Sequence, residues 1–175
     1  MTGGDNGYYE LATVSVYSVD TGVFSPCPNL NIARSNHSSC VLDDKLYVSG
    51  GRSQEAYSIE VAKCSELIDG SATWDILSVR YKAYCHVFSP ISSHEILIIF
   101  EKDISIFDTR SNTIEKVGEN KLKLSCPSNN FVMSRDGQVV ALVHDYMNNR
   151  IKAVSFKKDK QKVVVREIKD FGASE

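Results

Sequence analysis

The stretch from Arg34 to Gly51 constrains the fold of this chain more than any other. It reads R-S-N-H-S-S-C-V-L-D-D-K-L-Y-V-S-G-G and predicts a strand at 38–42, a tight acidic turn at Asp43-Asp44 and a second strand at 45–49. Gly50 and Gly51 follow directly, where glycine can adopt a positive φ or let another backbone come close. The stretch therefore predicts an antiparallel hairpin that ends in a special glycine pair.

Strand signals alternate with turn clusters along the rest of the chain, and no long stretch has helical spacing. They favour an all-β fold. One predicted hairpin has strands at 65–68 and 73–77 around Asp69-Gly70-Ser71. The other predicted hairpins flank turns at 20–22, 108–112, 135–137 and 157–161.

An internal repeat follows from the second strands of successive hairpins. The apolar triplets Leu46-Tyr47-Val48, Ile96-Leu97-Ile98 and Val139-Val140-Ala141 lie 50 and then 43 residues apart. A period of this length is typical of propeller blades. Phe24 and Trp74 fall in the last strands of two units, where a large aromatic is expected to lie in the core between blades.

The Arg-x-x-His beginning and Leu-Tyr-Val-x-Gly-Gly end of the first stretch resemble a kelch repeat. The resemblance implies a kelch-type β-propeller segment of four-stranded antiparallel blades: a partial blade at 1–30 and blades at 31–79, 80–119 and 120–175. Gly3-Gly4 would be the glycine pair of an earlier unit. The later units match less well, because Phe100-Glu101 and Val143-His144 replace the glycine pair. The residues to which the resemblance assigns a structural role are Arg34, His37, Leu46, Tyr47, Val48, Gly50, Gly51 and Trp74.

About three blades and part of another are fewer than the 4–8 that close a propeller, so we expect an incomplete ring. The chain could be part of a longer one, complete a ring with a second chain, be capped by a partner or close an unusually small ring. A structural alternative is an irregular sandwich of hairpins in which the period is accidental.

Composition excludes several classes of function. The chain has 175 residues and a net charge of −2, so no overall basic field favours nucleic acid. The longest apolar run, 96–100, is too short to span a bilayer, and the polar first ten residues do not resemble a targeting signal. Five scattered cysteines without C-x-x-C spacing indicate reduced thiols and a cytoplasmic location.

Motifs of catalysis and cofactor binding do not occur in the sequence. It contains no P-loop, G-x-G-x-x-G, EF-hand or G-x-S-x-G pattern, and its four histidines lack the close spacing of a zinc site. We therefore expect no cofactor, no metal and no enzyme activity. A kelch-like oxidase or hydrolase with an unrecognised site stays a distant alternative. The basic run at 157–162 lacks interleaved aromatics and is interpreted as a solvated hairpin tip.

The resemblance to kelch repeats implies a non-catalytic scaffold that binds a partner protein. By resemblance to kelch proteins, the partner would be a cytoskeletal protein, a ubiquitin-ligase substrate or a larger complex, although the sequence contains no BTB segment. The alternative is a structural subunit whose partial propeller another chain completes, including a second copy. Predicted partner-binding residues lie on loops before first strands and after the glycine pair: Ser35, Asn36, Arg52, Tyr57, Arg80, Tyr81 and Lys82.

Overall fold

The protein is described by a computed structural model that covers residues 1–53, 57–80, 87–100, 103–119, 132–135, 137–145, 150–159 and 162–171. Its described part consists almost entirely of antiparallel strands, so the all-β prediction is confirmed. The strands are β1 Val14–Ser18, β2 Val23–Cys27, β3 Ser38–Leu42, β4 Lys45–Ser49, β5 Ser58–Lys63, β6 Asp75–Arg80, β7 Val87–Pro90, β8 Glu95–Phe100, β9 Asp103–Asp108, β10 Thr113–Glu119, β11 Val132–Arg135, β12 Gln138–Asp145, β13 Arg150–Asp159 and β14 Lys162–Phe171.

The chain divides into two compact units, Met1–Tyr84 and Cys85–Glu175. The first unit holds the two-stranded sheet β1-β2 and the four-stranded sheet β3-β4-β5-β6. The second unit holds the four-stranded sheets β7-β8-β9-β10 and β11-β12-β13-β14. Consecutive strands are neighbours in every sheet, which is the meander of a propeller blade. The predicted four-stranded antiparallel sheets are confirmed, and each apolar triplet of the repeat lies in the second strand of its sheet.

The predicted hairpin at 38–49 forms as expected. β3 and β4 pair from Ser38 opposite Ser49 to Leu42 opposite Lys45. Asp43 and Asp44 both have positive φ, at 51° and 54°. Two positive φ values belong to the type I′ turn, whose twist matches that of the flanking strands.

The hairpin predicted at 65–77 is wrong. A short helix, α1 Cys64–Asp69, occupies its first half and ends at Gly70, whose φ of 82° and ψ of 6° form a left-handed C-cap. Only Leu67 of the helix is buried. The third strand of this sheet is instead β5, which the sequence reading did not identify as a strand. Its central Glu60 resembles a surface residue but is fully buried.

The core of the first unit lies between its two sheets. Val14 of β1 packs in one cluster with Val48, Ala62, Leu67 and Trp74. The indole Nε1 of Trp74 donates a hydrogen bond of 2.9 Å to the Pro28 carbonyl, as a buried indole requires. Phe24, predicted to lie in the core, is 59% exposed and stacks against Tyr17 with 4.8 Å between ring centroids. Phe24 is therefore a surface residue, because every residue of β2 except Cys27 is exposed.

The core of the second unit lies between its two four-stranded sheets. Leu97, Ile99 and Ile104 of one sheet pack against Val154 and Phe156 of the other. Glu95 at the start of β8 forms an ion pair with Lys158 of β13, which joins the two sheets at the edge of this core.

A buried ion pair joins the elements of the first unit. Arg34 and Glu60 are both 0% exposed, and Arg34 Nη2 donates to Glu60 Oε1 over 2.7 Å. Arg34 Nη1 donates to the Gly50 carbonyl over 2.9 Å. The second oxygen of Glu60 accepts the backbone N–H of Asn31 over 2.7 Å, and the Asn31 amide donates to the Trp74 carbonyl over 2.6 Å. The pair is thus hydrogen-bonded on several sides, as buried charges must be.

The glycine pair lies close to the segment that contains Arg34. Gly50 and Gly51 have φ values of 72° and 91°. A Cβ at Gly51 would overlap the Ser35 carbonyl and lie 2.9 Å from His37 Cβ. Gly51 is therefore required both for its backbone conformation and for close approach of another backbone.

His37 lies between the two glycine pairs of the first unit. A Cβ at Gly3, in the first glycine pair, would lie 2.8 Å from the His37 ring. A Cβ at Gly51, in the second pair, would lie 2.9 Å from His37 Cβ. A His37 ring nitrogen, Nε2, is 2.8 Å from Thr2 Oγ1. Burial, followed by the nearby charge of Arg34, lowers the pKa of His37 to about 4. His37 is therefore neutral in the folded protein at neutral pH.

Replacement of Gly51 by alanine should destabilise the first unit far more than replacement of Gly70. Both glycines have positive φ, but a Cβ at Gly70 has no other atom within 4 Å. We expect a loss of about 1 kcal/mol for Gly70→Ala from backbone strain alone, and about 3 kcal/mol for Gly51→Ala, where steric overlap is added. Urea unfolding followed by the fluorescence of Trp74, the single tryptophan, measures both. Equal losses would contradict the close approach at Gly51.

The first unit should lose stability as the pH falls, through His37. The folded-state pKa of about 4 lies below the ordinary value of 6.5, so the unfolded chain binds more protons between these two values. The contribution of neutral His37 is therefore complete above pH 6.5 and is lost as the pH falls towards 4. Urea unfolding at pH 7 and pH 5, read by Trp74 fluorescence, should show a smaller drop for His37→Gln than for the natural chain. Equal drops would mean that other groups cause the acid sensitivity.

Candidate functional site

Two loops of the first unit begin at equivalent glycine pairs. Thr2 pairs with Val14 of β1 just as Ser49 pairs with Ile59 of β5, and a glycine pair follows each. Gly3 and Gly4 have φ values of 57° and 116°. Residues 5–13 therefore take the same place in the sequence after their glycine pair as residues 52–58 take after Gly51. This supports the prediction that Gly3-Gly4 belongs to an earlier unit.

The first loop forms an ordered hairpin from Asp5 to Glu10. Asp5 and Glu10 form a β-bridge, and the Asn6 N–H donates to the Tyr9 carbonyl. The Asn6 side-chain oxygen accepts the N–H groups of Tyr8 and Tyr9, both at 3.0 Å. Asp5 Oδ1 accepts the N–H of Gly7 over 3.1 Å. Such side-chain-to-backbone bonds hold a turn without any packing of its own side chains.

This hairpin presents two tyrosines to solvent. Tyr8 is 93% exposed and Tyr9 is 63% exposed. Sequence reasoning did not select them, although the correspondence of Gly3-Gly4 with Gly50-Gly51 would have pointed to the loop that follows. Exposed tyrosines on an ordered turn can bury much area on a partner while little backbone entropy is lost.

The second loop lies beside the first. The Arg52 guanidinium Nε is 3.9 Å from Glu10 Oε1, and the Arg52 side chain is 70% exposed. Arg52 also exchanges two backbone hydrogen bonds with Ser35, of 2.7 and 3.2 Å. Asn36, exposed and at a φ of 52°, follows Ser35, and the partly exposed Tyr57 precedes β5. We name Tyr8, Tyr9, Asn36, Arg52 and Tyr57 the loop surface.

The predicted partner-binding residues have different places in the structure. Asn36, Arg52 and Tyr57 are exposed, whereas Ser35 is only 2% exposed because its backbone is paired with Arg52. Ser35 therefore does not enter the loop surface. Arg80 ends β6, and Tyr81 and Lys82 lie outside the described residues.

One group of metal-ligating residue types occurs in the described part of the second unit. Ligand atoms of His94, Glu95 and Asp108 lie within 4.8 Å of one another. Protein donors already hold both carboxylates: Glu95 by Lys158 and by Ser92, and Asp108 by two backbone N–H groups of its turn. Burial raises the pKa of Glu95, but these hydrogen bonds outweigh it, and the pKa is lowered. Of the three residues, Glu95 joins the two sheets through its ion pair with Lys158, and Asp108 stabilises its own turn.

The remaining candidate reactive side chains include a partly buried thiol and a histidine. Burial raises the pKa of the Cys40 thiol well above its ordinary value, so Cys40 is a poor nucleophile. His86 lies outside the described residues. The chain's one described helix, α1, has six residues, and no described helix is long and apolar enough to cross a membrane.

Comparisons with known proteins agree with this arrangement. Residues 33–61 match the kelch motif model. The chain is 38% identical over 52 residues to "Kelch repeat and BTB domain-containing protein 2" of Horsepox virus, covering 30% of this chain and 10% of the relative. It is 30% identical over 89 residues to the protein of the same name from Ectromelia virus (strain Moscow), covering 51% of this chain and 16% of the relative.

A solved structure supports the fold alone. The chain superposes on the protein of "Structure of YjhT" with a TM-score of 0.74 at 9% identity, over 91% of this chain and 53% of that one. The chain thus spans about half of that structure and a much smaller share of the viral relatives. The matched motif covers the Arg34 segment, both strands of its hairpin, the glycine pair and most of β5. Residues 33–61 thus carry a kelch motif, and the chain is similar to kelch-repeat proteins.

Proposed function

We propose that the chain is a non-catalytic protein-interaction module that binds its partner through the loop surface. The observation that carries this proposal is the pair of exposed tyrosines, Tyr8 and Tyr9, on a hairpin ordered by Asn6. Tyrosine and arginine are enriched among the residues that dominate binding energy. Arg52 stands beside this hairpin and adds a cation to the surface.

Kelch repeats generally mediate protein–protein interaction, and most kelch proteins are not enzymes. Both viral relatives are named for kelch repeats together with a BTB domain. We extend the proposal to a partner that is cytoskeletal or part of a larger complex. A cytoplasmic location fits the free thiols of Cys27, Cys40 and Cys64, since reduced cysteines persist in the cytosol.

A second candidate function is a structural subunit completed by another chain. In the sheet β3-β4-β5-β6, β4 pairs with β5 over five residue pairs. β1 is the strand equivalent to β5. Among the described residues, only Met1 to Gly3 pair with the edge of β1 that faces away from β2. The neighbouring face exposes Tyr17 and Phe24, an apolar patch of the kind that interfaces cover. A partner hairpin that continues this edge would cover both features.

Replacement of both loop tyrosines should weaken binding of the partner. A photo-crosslinking amino acid at position 8 identifies the protein in contact with the loop, and its affinity is then measured by titration. We expect Tyr8→Ala/Tyr9→Ala to lower that affinity at least tenfold, since truncation of an anchor residue costs about 1–2 kcal/mol. Tyr17→Ala, an exposed tyrosine outside the loop, is the matched control and should leave the affinity unchanged.

The outcomes separate the two functions. Equal affinity of the loop variant and the natural chain would contradict the loop surface. Loss of affinity in Tyr17→Ala instead, together with a dimeric mass in light scattering that this variant abolishes, would favour the structural subunit. Unfolding midpoints of both variants should match that of the natural chain, because all three tyrosines are exposed.

A further inference from the structure

The sheet β11-β12-β13-β14 has one face in the core and one face in solvent. Val154 and Phe156 of β13 lie in the core of the second unit, and Lys158, on the same side, reaches Glu95 of the adjacent sheet. Side chains alternate along a strand, so Ser155 and Lys157 point to the opposite face. The strand register extends this outer face to both neighbours of β13.

The register brings two cations together on the outer face. Arg166 of β14 lies opposite Ser155, and Val164 lies opposite Lys157. Lys157 and Arg166 are therefore diagonal neighbours on adjacent strands, within reach of one extended segment. Gln138 of β12 lies opposite Lys157 on its other side.

These residues line a groove of about 400 Å³. Ser155 forms its buried floor, and both Lys157 and Arg166 are exposed at its sides. The remaining described lining residues are Gln138, Lys158, Asp159 and Val164. The groove combines polar and charged groups with an aliphatic side chain, and no aromatic is among its described lining residues.

The charges of the groove are not balanced within the described part of the chain. Lys158 is neutralised by Glu95, and Lys152, farther along β13, by Glu167 at 3.4 Å. Lys157 and Arg166 have no ion-pair partner among the described residues. Asp159, at the end of β13, offsets one of these two charges, which leaves the groove positive in a chain whose net charge is −2.

Two apolar side chains lie on the same outer face, farther along the strands from the two cations. Leu142 is 38% exposed and Ile151 is 49% exposed, and alternation places both on the outer side of their strands. An extended segment alternates its own side chains in the same way. We propose that this outer face binds an extended acidic protein segment, in which carboxylates on every second residue contact Lys157 and Arg166.

This proposal concerns a second surface, independent of the loop surface. The absence of described aromatics in the groove favours a peptide over single-stranded nucleic acid, whose binding relies on base stacking. Charge complementarity selects an acidic segment and disfavours a basic one.

Binding of a defined peptide tests the proposal. The probe is a fluorescein-labelled nonapeptide of alternating Glu and Val, titrated with the natural chain and followed by fluorescence anisotropy. Its neutral counterpart has Gln in place of Glu. We expect Lys157→Gln and Arg166→Gln each to lower the affinity for the acidic peptide roughly two- to five-fold, and the double variant about tenfold, as for exposed ion pairs. Higher salt should weaken binding of the acidic peptide only.

Two further variants control for a general effect of net charge. Lys116→Gln removes one positive charge from β10, where Lys116 pairs with Asp103 at 2.6 Å, and should leave the affinity unchanged. The charge-reversed variant Lys157→Glu/Arg166→Glu should lose the acidic peptide and bind a Lys–Val nonapeptide instead. All substituted positions are exposed, so the variants should unfold at the same urea concentration as the natural chain.

Several results would overturn the proposal. These are no binding of the acidic peptide up to millimolar concentration, equal binding of the neutral peptide, or an equal loss in Lys116→Gln. Tighter binding of a twelve-residue oligothymidylate would assign the face to nucleic acid. A dimer in light scattering that Arg166→Glu dissociates would assign it to a second copy of the chain.

Discussion

The buried pair of Arg34 and Glu60 is the interaction on which the first unit depends. Two charges without solvent exposure are costly unless they are paired and hydrogen bonds compensate for the lost water. Here those bonds go to the Gly50 carbonyl, to Ser58 and to the backbone of Asn31, so the cost of burial is offset only when these segments are in place. The ion pair therefore specifies one arrangement of the segment, the glycine turn and β5, rather than adding general stability.

The loop surface follows from that arrangement. The backbone carbonyl of Arg34 accepts the Gly4 N–H, and the backbone N–H of Arg34 donates to the Leu11 carbonyl. These two hydrogen bonds hold both ends of the hairpin that contains Tyr8 and Tyr9. Gly51 brings the second glycine turn against Ser35 and His37, and Arg52 comes next to Glu10. The exposed residues of the loop surface are thus held by a buried polar network, so that a partner bound there would meet loops that are already ordered.

The features that could be predicted from the sequence are those determined by neighbouring residues. The Asp43-Asp44 turn, the glycine pair and the two strands at 38–42 and 45–49 were predicted with their bounds, because turn residues and period-two patterns act over a few residues. β5 was missed because the charged Glu60 in its centre is a residue type that is usually exposed. The burial of Glu60 depends on its ion pair with Arg34, 26 residues earlier in the sequence. Phe24 was misplaced because aromatic character does not reveal which face of an edge hairpin is covered. Tyr8 and Tyr9 required the equivalence of the two glycine pairs, which rests on the pairing of Thr2 with Val14.

Native-state amide hydrogen exchange of Arg34→Met, compared with the natural chain, tests this account most directly. The amides of Gly4, Asn31 and Arg52 donate to Arg34, Glu60 and Ser35, respectively. If the ion pair organises the glycine turns, these three amides should lose protection together in the variant, whereas the amides between β9 and β10 in the second unit keep theirs. Unchanged protection at Gly4 and Arg52 would show that the turns form without the ion pair and would contradict the account.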